Sequence, residues 1–392
     1  MSAAYVPGGI CIGVRKREVM KRTKAGFALA AATLAGLALS GCGSDNNAAN
    51  SSSSGTSATG KADSAECGGK NTLTAEGSTA QQNAIAVFNQ VWGKKCPGKN
   101  LSYNPTGSGA GREQFIAGHV DFAGSDSPLS EAQVPEAANR CGQNPAWHLP
   151  LVFGPVSMAY HLDGVDGLVL NADVAARIFS GAITSWDDPA LVALNPGVQL
   201  PTLAITPIYR SDSSGTTDNF QKYLSAAAPQ AWTKGEGSEF QGGVGEGAQK
   251  SAGVVQAVQS TPGAIGYVEK GFADQANLHS AMLDSGSGVV AATDEAAGAA
   301  IQSAGFVSPD SNDMRLDLRS LYSTKQPAAY PLVLVTYEIV CSRGYDAETS
   351  AAVKSFLTTA STTGQDELAS AGYVRLPDTL KRRLSAAIDE IQ

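Results

Sequence analysis

Residues 71–111 read NTLTAEGSTAQQNAIAVFNQVWGKKCPGKNLSYNPTGSGAG. Two extended segments, 71–74 and 101–103, flank residues 80–92, whose apolar side chains recur at helical spacing. Each extended segment runs into a short turn of Gly, Ser and Thr. This strand–helix–strand unit predicts an α/β fold, because the same alternation continues along the chain and favours largely parallel sheets.

The alternation extends outward from this segment to the C-terminus. Further strands are predicted at 120–123, 150–161, 203–209, 264–268 and 332–341. Further helices are predicted at 112–119, from Ser130 onward, and at 172–180, 216–227, 347–359 and 378–391. Asn171 is the predicted cap of the helix at 172–180, because an Asn side chain can accept a hydrogen bond from the first turn.

Length and charge limit the function. The chain has 392 residues, enough for two domains. Its net charge is −8; without the six basic residues and one acidic residue among the first 41, it carries 22 basic and 35 acidic residues, or −13. Such a surface argues against nucleic acid as a partner, since that binding depends on clustered bases. The scattered His and Cys have no metal-binding spacing, so neither a metal nor another cofactor is expected.

The N-terminal region predicts export and anchoring. A basic segment precedes an apolar run of about 16 residues, which is short for a membrane span and right for a signal peptide. Residues 1–41 are therefore the predicted signal peptide, with Met20 as the alternative start. The run ends in Leu-Ser-Gly-Cys42, which resembles the lipobox of bacterial lipoproteins, in which this Cys is lipid-modified and becomes the mature N-terminus. Residues 42–66 lack large apolar side chains and predict a flexible tether.

Four further cysteines, Cys67, Cys96, Cys141 and Cys341, predict two disulfides in an exported chain, with three connectivities open. Cys67 and Cys96 each precede a strand of the same unit, which places them at one end of neighbouring parallel strands. We therefore favour the pairs 67–96 and 141–341.

Three turns of small residues open predicted helices, at 77–80 (GSTA), 106–111 (TGSGAG) and 212–217 (DSSGTT). Helix N-termini present free N–H groups and partial positive charge, and glycine lets a ligand approach the backbone. One such turn is an ordinary helix cap. Three in one chain, with Arg210 just before the third, predict a site for a small tetrahedral oxyanion.

Asp126 lies in a similar junction at 122–129 (FAGSDSPL). A carboxylate repels an anion unless the anion donates a proton to it, which protonated phosphate can do and sulfate cannot. The alternative is a turn or cap role for Asp126.

The chain resembles the PstS-type periplasmic phosphate-binding proteins, in the lipid-anchored form of actinobacteria. The resemblance extends from about Cys67 to the C-terminus. It rests on ordered motifs: Gly77-Ser-Thr, Thr106-Gly-Ser-Gly-Ala-Gly, Gly124-Ser-Asp, Ile183-Thr-Ser-Trp-Asp-Asp-Pro-Ala, Arg210-Ser-Asp-x-Ser-Gly-Thr and Thr261-Pro-Gly-Ala-Ile-Gly-Tyr-Val.

The resemblance implies which groups bind phosphate. The implied residues are Thr79, Ala80 (through its amide), Ser108, Asp126 as proton acceptor, Arg210 as the cation, Ser214, Gly215 and Thr216. Relatives often have Phe or Leu in place of Ala80, which implies less apolar cover here. Asp212 is expected to orient Arg210, and the Trp186-Asp-Asp-Pro turn to be structural.

The resemblance also implies the architecture: a two-lobed periplasmic-binding-protein fold of type II (Venus-flytrap), with the ligand in the interlobe cleft. Residues 67–158 and 328–392 form the first lobe, and residues 159–327 the second. Strands near 152–161 and 330–339 lie near the crossings. Ligand closes the cleft, and the closed, monomeric, lipid-anchored receptor delivers phosphate to the permease of an ABC importer on the extracytoplasmic face of the cell membrane.

The same chain contains partial patterns of three other functions. A serine hydrolase acting on phosphate esters would use Ser108 or Ser214, but neither lies in a G-x-S-x-G motif. A nucleotide-binding enzyme would use the glycines at 242–247, but Lys250 lies too far along for a P-loop. A receptor for sulfate or molybdate conflicts with Asp126. A binding protein rather than an enzyme is therefore expected.

Overall fold

The computed structural model of the protein describes residues 66–392. The predicted signal peptide, the lipidation residue Cys42 and the predicted tether up to residue 65 lie outside the described residues. No helix within 66–392 is long and apolar enough to cross a membrane.

Strands and helices alternate through most of the described chain. The strands are β1 (Thr72–Gly77), β2 (Asn100–Pro105), β3 (Phe122–Ser125), β4 (Ala146–Tyr160), β5 (Val169–Leu170), β6 (Thr206–Arg210), β7 (Glu246–Ala248), β8 (Ala264–Glu269), β9 (His279–Ser280), β10 (Met282–Asp284), β11 (Val289–Val290) and β12 (Val333–Cys341). The helices are α1 (Gln82–Lys95), α2 (Ser108–Ile116), α3 (Gln133–Arg140), α4 (Ala172–Phe179), α5 (Pro189–Leu194), α6 (Gly215–Ala227), α7 (Lys250–Ser260), α8 (Lys270–Gln275), α9 (Asp294–Gln302), α10 (Leu318–Tyr322), α11 (Ala347–Ser361), α12 (Thr363–Asp366) and α13 (Asp378–Asp389), with a 3₁₀ turn at Leu368–Ala371.

The main sheet has the strand order β2-β1-β3-β12-β4-β8-β6-β7, with β9 added beside β4. At one side, β1 pairs in parallel with β2 and β3; at the other, β6 pairs in parallel with β7 and β8. We call β1–β3 the first half-sheet and β6–β8 the second half-sheet. Strands β5, β10 and β11 form a separate small sheet.

The long strand β4 joins the two half-sheets. Residues 146–155 pair with β12, and residues 156–160 pair with β8. Both pairings are antiparallel, as is that of β12 with β3. The expectation of largely parallel sheets is therefore right for the half-sheets and wrong for the middle, because β4 runs as one continuous strand from the first half-sheet to the second and pairs antiparallel with both β12 and β8.

Helix α1 shows why the first segment folds as the sequence predicts. Its residues Ile85, Phe88 and Trp92 are fully buried, and the Trp92 ring meets Phe356 of α11 at 5.4 Å between centroids. The Trp92 indole N–H donates to Ser355 Oγ at 2.9 Å. One face of α1 is thus fixed against the C-terminal helix α11, so both ends of the described chain pack on the first half-sheet.

Two disulfides are present, Cys67–Cys96 and Cys141–Cys341. This is the connectivity that the sequence favours. The first joins the starts of the parallel neighbours β1 and β2, and the second joins the end of α3 to the last residue of β12.

Candidate anion-binding site

Three turns from the first half-sheet contribute buried polar side chains. Each turn follows the carboxyl end of a parallel strand, which is where ligands bind in open α/β sheets. Thr79 follows β1, Ser108 follows β2 as the first residue of α2, and Asp126 follows β3. All three side chains are almost completely buried.

Asp126 is surrounded by hydroxyl groups. Ser78 Oγ and Thr336 Oγ1 donate to Oδ1 at 2.6 and 2.7 Å, and Ser108 Oγ donates to Oδ2 at 3.1 Å. Burial raises the pKa of Asp126 to about 6, although these hydrogen bonds favour the charged form. The site therefore holds a carboxyl group that can change protonation near neutral pH.

Arg210, the last residue of β6, brings a cation from the second half-sheet. It is 3% exposed, and its Nε and Nη2 donate to Asp212 Oδ1 and Oδ2 at 2.8 and 2.5 Å. Burial opposes the charge, but the hydrogen bonds and charge of Asp212 dominate and raise the pKa of Arg210. Asp212 thus fixes the position of a permanently charged guanidinium, as the sequence predicts.

Helix α6 begins at the site. Ser214 is its cap, since Ser214 Oγ accepts a hydrogen bond from the Thr217 N–H at 3.2 Å. A Cβ atom added to Gly215 would lie 2.5 Å from Asp126 Cβ and 2.6 Å from Ser108 Oγ. The structure therefore brings Ser108, Asp126 and Gly215 together, and only glycine allows this approach.

Direct contacts close the space between the half-sheets. Thr79 Oγ1 lies 2.8 Å from Ser251 Oγ at the start of α7, and the Gly109 N–H donates to the Ser213 carbonyl at 3.1 Å. Ser127 Oγ donates to Asp218 Oδ2 at 2.6 Å. The predicted site residues of both half-sheets thus converge in a closed, buried arrangement.

Two other residues of the predicted ligand set, Ala80 and Thr216, make hydrogen bonds to neighbouring residues of the protein. The Ala80 N–H donates to Ser78 Oγ at 3.1 Å, and its carbonyl accepts from the Tyr373 hydroxyl at 2.6 Å. The Thr216 hydroxyl donates to Glu269 Oε1 at 2.6 Å. Tyr373 is buried against the turn that contains Ala80.

Several site residues were not predicted. These are Ser78, Arg112, Ser251, Glu269 and Thr336. Ser78 lies inside a quoted turn, so the turn itself was the available signal. Ser251, Glu269 and Thr336 lie far along the chain from the groups that they contact, and no local pattern marks them.

The serine-hydrolase alternative finds no support in the same contacts. Ser108 bonds to Asp126 and Ser214 caps α6, whereas His148 pairs through Nδ1 with Asp313 at 2.6 Å. Neither serine therefore has a histidine beside it within residues 66–392. Trp186 is fully buried and donates to a backbone carbonyl, which agrees with a structural role.

Two α/β halves that share a long strand and enclose a buried polar site define the periplasmic-binding-protein class. The family described as the PBP superfamily domain matches residues 49–360. Phosphate-binding protein PstS 3 of Mycobacterium tuberculosis is 45% identical over 374 residues, which cover 95% of this chain and all of that protein. PstS 3 of Mycobacterium leprae is 46% identical over 358 residues, covering 91% and 96%. The chain belongs to the PstS family of phosphate-binding proteins.

Solved structures share the two-lobed fold. A high-affinity periplasmic phosphate-binding protein, PfluDING, solved with phosphate bound, superposes with a TM-score of 0.65 at 22% identity, over 81% of this chain and 93% of that one. A phosphate-binding protein from Stenotrophomonas maltophilia gives a TM-score of 0.63 at 20% identity, over 81% and 94%.

Proposed function

We propose that the protein is an extracytoplasmic receptor that binds inorganic phosphate and delivers it to an ABC importer. The observation that carries the proposal is Asp126, a buried carboxyl group that accepts hydrogen bonds from three hydroxyls and lies against Gly215 at the start of α6. Membership of a family of binding proteins supports a receptor rather than an enzyme.

The proposed ligand set joins both half-sheets. The Thr79, Ser108 and Ser214 hydroxyls, the Ala80, Gly215 and Thr216 amides and the Arg210 guanidinium would surround the anion, with Asp126 accepting its proton. The closeness of Gly215 to Asp126 and Ser108 supports this set, because any anion held there touches both half-sheets.

The proposed lobes are residues 67–158 with 328–392, and residues 159–327. Strand β4 pairs with β12 up to residue 155 and with β8 from residue 156 onward. This change of partner supports a passage of the chain from the first lobe to the second near the proposed boundary at residues 158 and 159. Ligand would shift the population to the closed form, because only that form makes both sets of hydrogen bonds.

The proposed location is the outer face of the cell membrane, with Cys42 carrying a lipid and residues 43–66 serving as the tether. The two disulfides support an oxidising compartment. The receptor would act as a monomer with permease subunits as partners. Mass spectrometry of the mature N-terminus tests the anchor: Cys42→Ala should remove the lipid and release the protein.

Competition binding tests the function. Wild type should bind phosphate and reject sulfate, because sulfate would place an oxygen lone pair against the Asp126 carboxylate; loss of such a buried bond can discriminate by about 10⁴–10⁵. Asp126→Asn should reduce the ratio of phosphate affinity to sulfate affinity, since the amide N–H can donate to either anion.

Asp346→Asn is the matched control, because Asp346 is an exposed helix cap whose Oδ1 accepts from the Thr349 N–H at 2.9 Å. Comparable binding of sulfate to wild type, or unchanged discrimination in Asp126→Asn, would contradict the proposed proton recognition.

A further inference from the structure

Arg112 is a buried cation that the proposed ligand set does not include. It lies on α2 and is 7% exposed. Its guanidinium donates from Nε to Gln133 Oε1 at 3.1 Å, from Nη1 to Ser125 Oγ at 2.9 Å and from Nη2 to Ser238 Oγ at 3.1 Å. All of these acceptors are neutral, and none of the ion pairs within residues 66–392 includes Arg112.

The protein leaves this charge without full compensation. Burial lowers the pKa of Arg112, and the charges of Asp218 and then Asp126 offset only part of that effect. At Arg210 burial also lowers the pKa, but Asp212 reverses the effect. A buried charge without a counter-ion is costly, so an anion that binds near Arg112 would remove part of this cost.

The two carboxylates that act on Arg112 are bonded to other groups. Asp218 Oδ2 accepts from Lys222 Nζ and from Ser127 Oγ, both at 2.6 Å. Asp126 accepts the three hydroxyl groups described above. Neither carboxylate is therefore a direct partner of Arg112.

Arg112 lies beside the proposed anion site. It follows Ser108 by four residues on α2, and residues at this spacing share one face of a helix. Ser108 Oγ donates to Asp126 Oδ2 at 3.1 Å. Ser125, which accepts from Arg112 Nη1, directly precedes Asp126. The guanidinium is thus held next to the part of the site that the first half-sheet provides.

The hydrogen bond to Ser238 connects Arg112 to the other part of the site. Ser238 lies between β6 and β7 of the second half-sheet, and its carbonyl accepts the Ser214 N–H at 2.9 Å. Ser214 is the cap of α6 and a member of the proposed ligand set. The position of Arg112 is therefore fixed relative to both half-sheets.

We propose that Arg112 is the second cation of the anion-binding site: a bound anion is the counter-charge that this buried guanidinium lacks, and their attraction raises the affinity for phosphate. Arg112 acts through its charge rather than by direct contact, since its hydrogen bonds are made to the three neutral groups described above. This role differs from that of Arg210, whose charge Asp212 already neutralises. The inference rests on the proposed phosphate-binding function.

Titration calorimetry of the full folded protein, with inorganic phosphate as the probe, tests the role of the charge. Arg112→Gln removes the charge and keeps a side chain that can form hydrogen bonds. We expect its affinity to fall about 10- to 100-fold, the change expected for one unit charge that acts over one to two helical turns in a partly buried site. Arg112→Lys keeps the charge but not the planar set of donors, and it should bind within a few-fold of wild type.

Gln133→Glu tests the same charge without removing it. Gln133 Oε1 accepts from Arg112 Nε and from the Ser130 N–H, both at 3.1 Å, and a carboxylate can accept both bonds. This variant gives Arg112 the counter-ion that it lacks, so phosphate binding should weaken although the hydrogen bonds are kept. It decides the question if Arg112→Gln fails to fold, because a Glu at this position completes a capping box with Ser130.

Gln256→Glu is the matched control. It adds the same negative charge at an exposed position of α7 and should bind phosphate as wild type does. Comparison of the two Glu variants separates the pairing of Arg112 from a general effect of added negative charge.

Unchanged phosphate affinity in Arg112→Gln and in Gln133→Glu would overturn the role of Arg112. Equal losses in Arg112→Gln and Arg112→Lys, with Gln133→Glu unchanged, would also overturn it, because Arg112 would then only hold the two half-sheets together. In both cases the wild type still binds phosphate and the proposed function stands. Absence of phosphate binding by the wild type would instead overturn the proposed function itself.

Discussion

The buried charge of Asp126 should reduce folding stability when no ligand is bound. Burial raises its pKa from 3.8 to about 6 in the folded protein, so the folded state binds this proton more tightly than the unfolded state. The contribution of Asp126 to stability is therefore fully present in acid and is lost as pH rises from about 3.8 to about 6. A difference of about two pH units corresponds to a cost of about 3 kcal/mol at neutral pH.

Asp126→Asn removes this cost and keeps the shape of the side chain. The carboxamide oxygen can accept the Ser78 and Thr336 hydroxyls, and its N–H₂ can donate to Ser108 Oγ. We expect the phosphate-free variant to be about 1–3 kcal/mol more stable than wild type at neutral pH, because the charged form is gone and the hydrogen bonds are largely kept.

Urea unfolding of phosphate-free protein, at neutral pH and at about pH 4, measures the effect. The advantage of Asp126→Asn should shrink towards zero in acid, where Asp126 of wild type is protonated. Asp346→Asn should show no such gain. A variant that is less stable than wild type at neutral pH, or a gain that is the same at both pH values, would refute the reasoning.

Two further substitutions test, by calorimetry, the cation at the end of β6 and the close approach of α6 to the first half-sheet. Arg210→Ala should weaken phosphate binding by tens to thousands-fold, because truncating one partner of a buried charge pair costs about 2–5 kcal/mol, and unchanged affinity would remove Arg210 from the site. Gly215→Ala should weaken binding about 5- to 150-fold, because its methyl group would lie 2.5 Å from Asp126 Cβ and overpacking costs about 1–3 kcal/mol. Gly253→Ala on α7, whose added Cβ would meet no atom closer than 3.7 Å, should bind as wild type does, and equal affinities of the two glycine variants would contradict the close approach.

Local patterns predicted several helices and caps correctly, although α5, α7, α8, α9, α10 and α12 were not predicted. Asn171 caps α4 by accepting the Val174 N–H at 2.8 Å, and Ser130 and Gln133 form the expected reciprocal hydrogen bonds at the start of α3. Such features depend on residues three or four positions apart, so the sequence contains all that they need. Boundaries were less accurate: α2 begins at Ser108 rather than at Arg112, because a turn of small residues does not itself show where helical dihedral angles start.

Long-range contacts were not predictable from local patterns. Thr336 reaches Asp126 from 210 positions away, and Ser251 reaches Thr79 from 172 positions away. Nothing in the nearly continuous apolar sequence of β12 (VLVTYEIVC) distinguishes Thr336 from any other polar residue in a strand. The antiparallel middle of the sheet was missed for the same reason, since pairing between distant strands depends on tertiary packing rather than on local propensity.

The charges of the site indicate how an acidic protein can select an anion. Arg210 is already paired with Asp212, and the buried Arg112, which donates to Ser125 and Gln133, lies in a region that also holds the carboxyl groups of Asp126 and Glu269, so positive charge alone does not explain the choice of anion. Selectivity has to come from short, directional hydrogen bonds with backbone amides and hydroxyls, which act only on a ligand of the right shape. A site that relied on positive charge would attract sulfate as well as phosphate. A site that surrounds its anion with acceptors as well as donors favours the ligand that brings its own protons, so its affinity and its selectivity have the same physical origin.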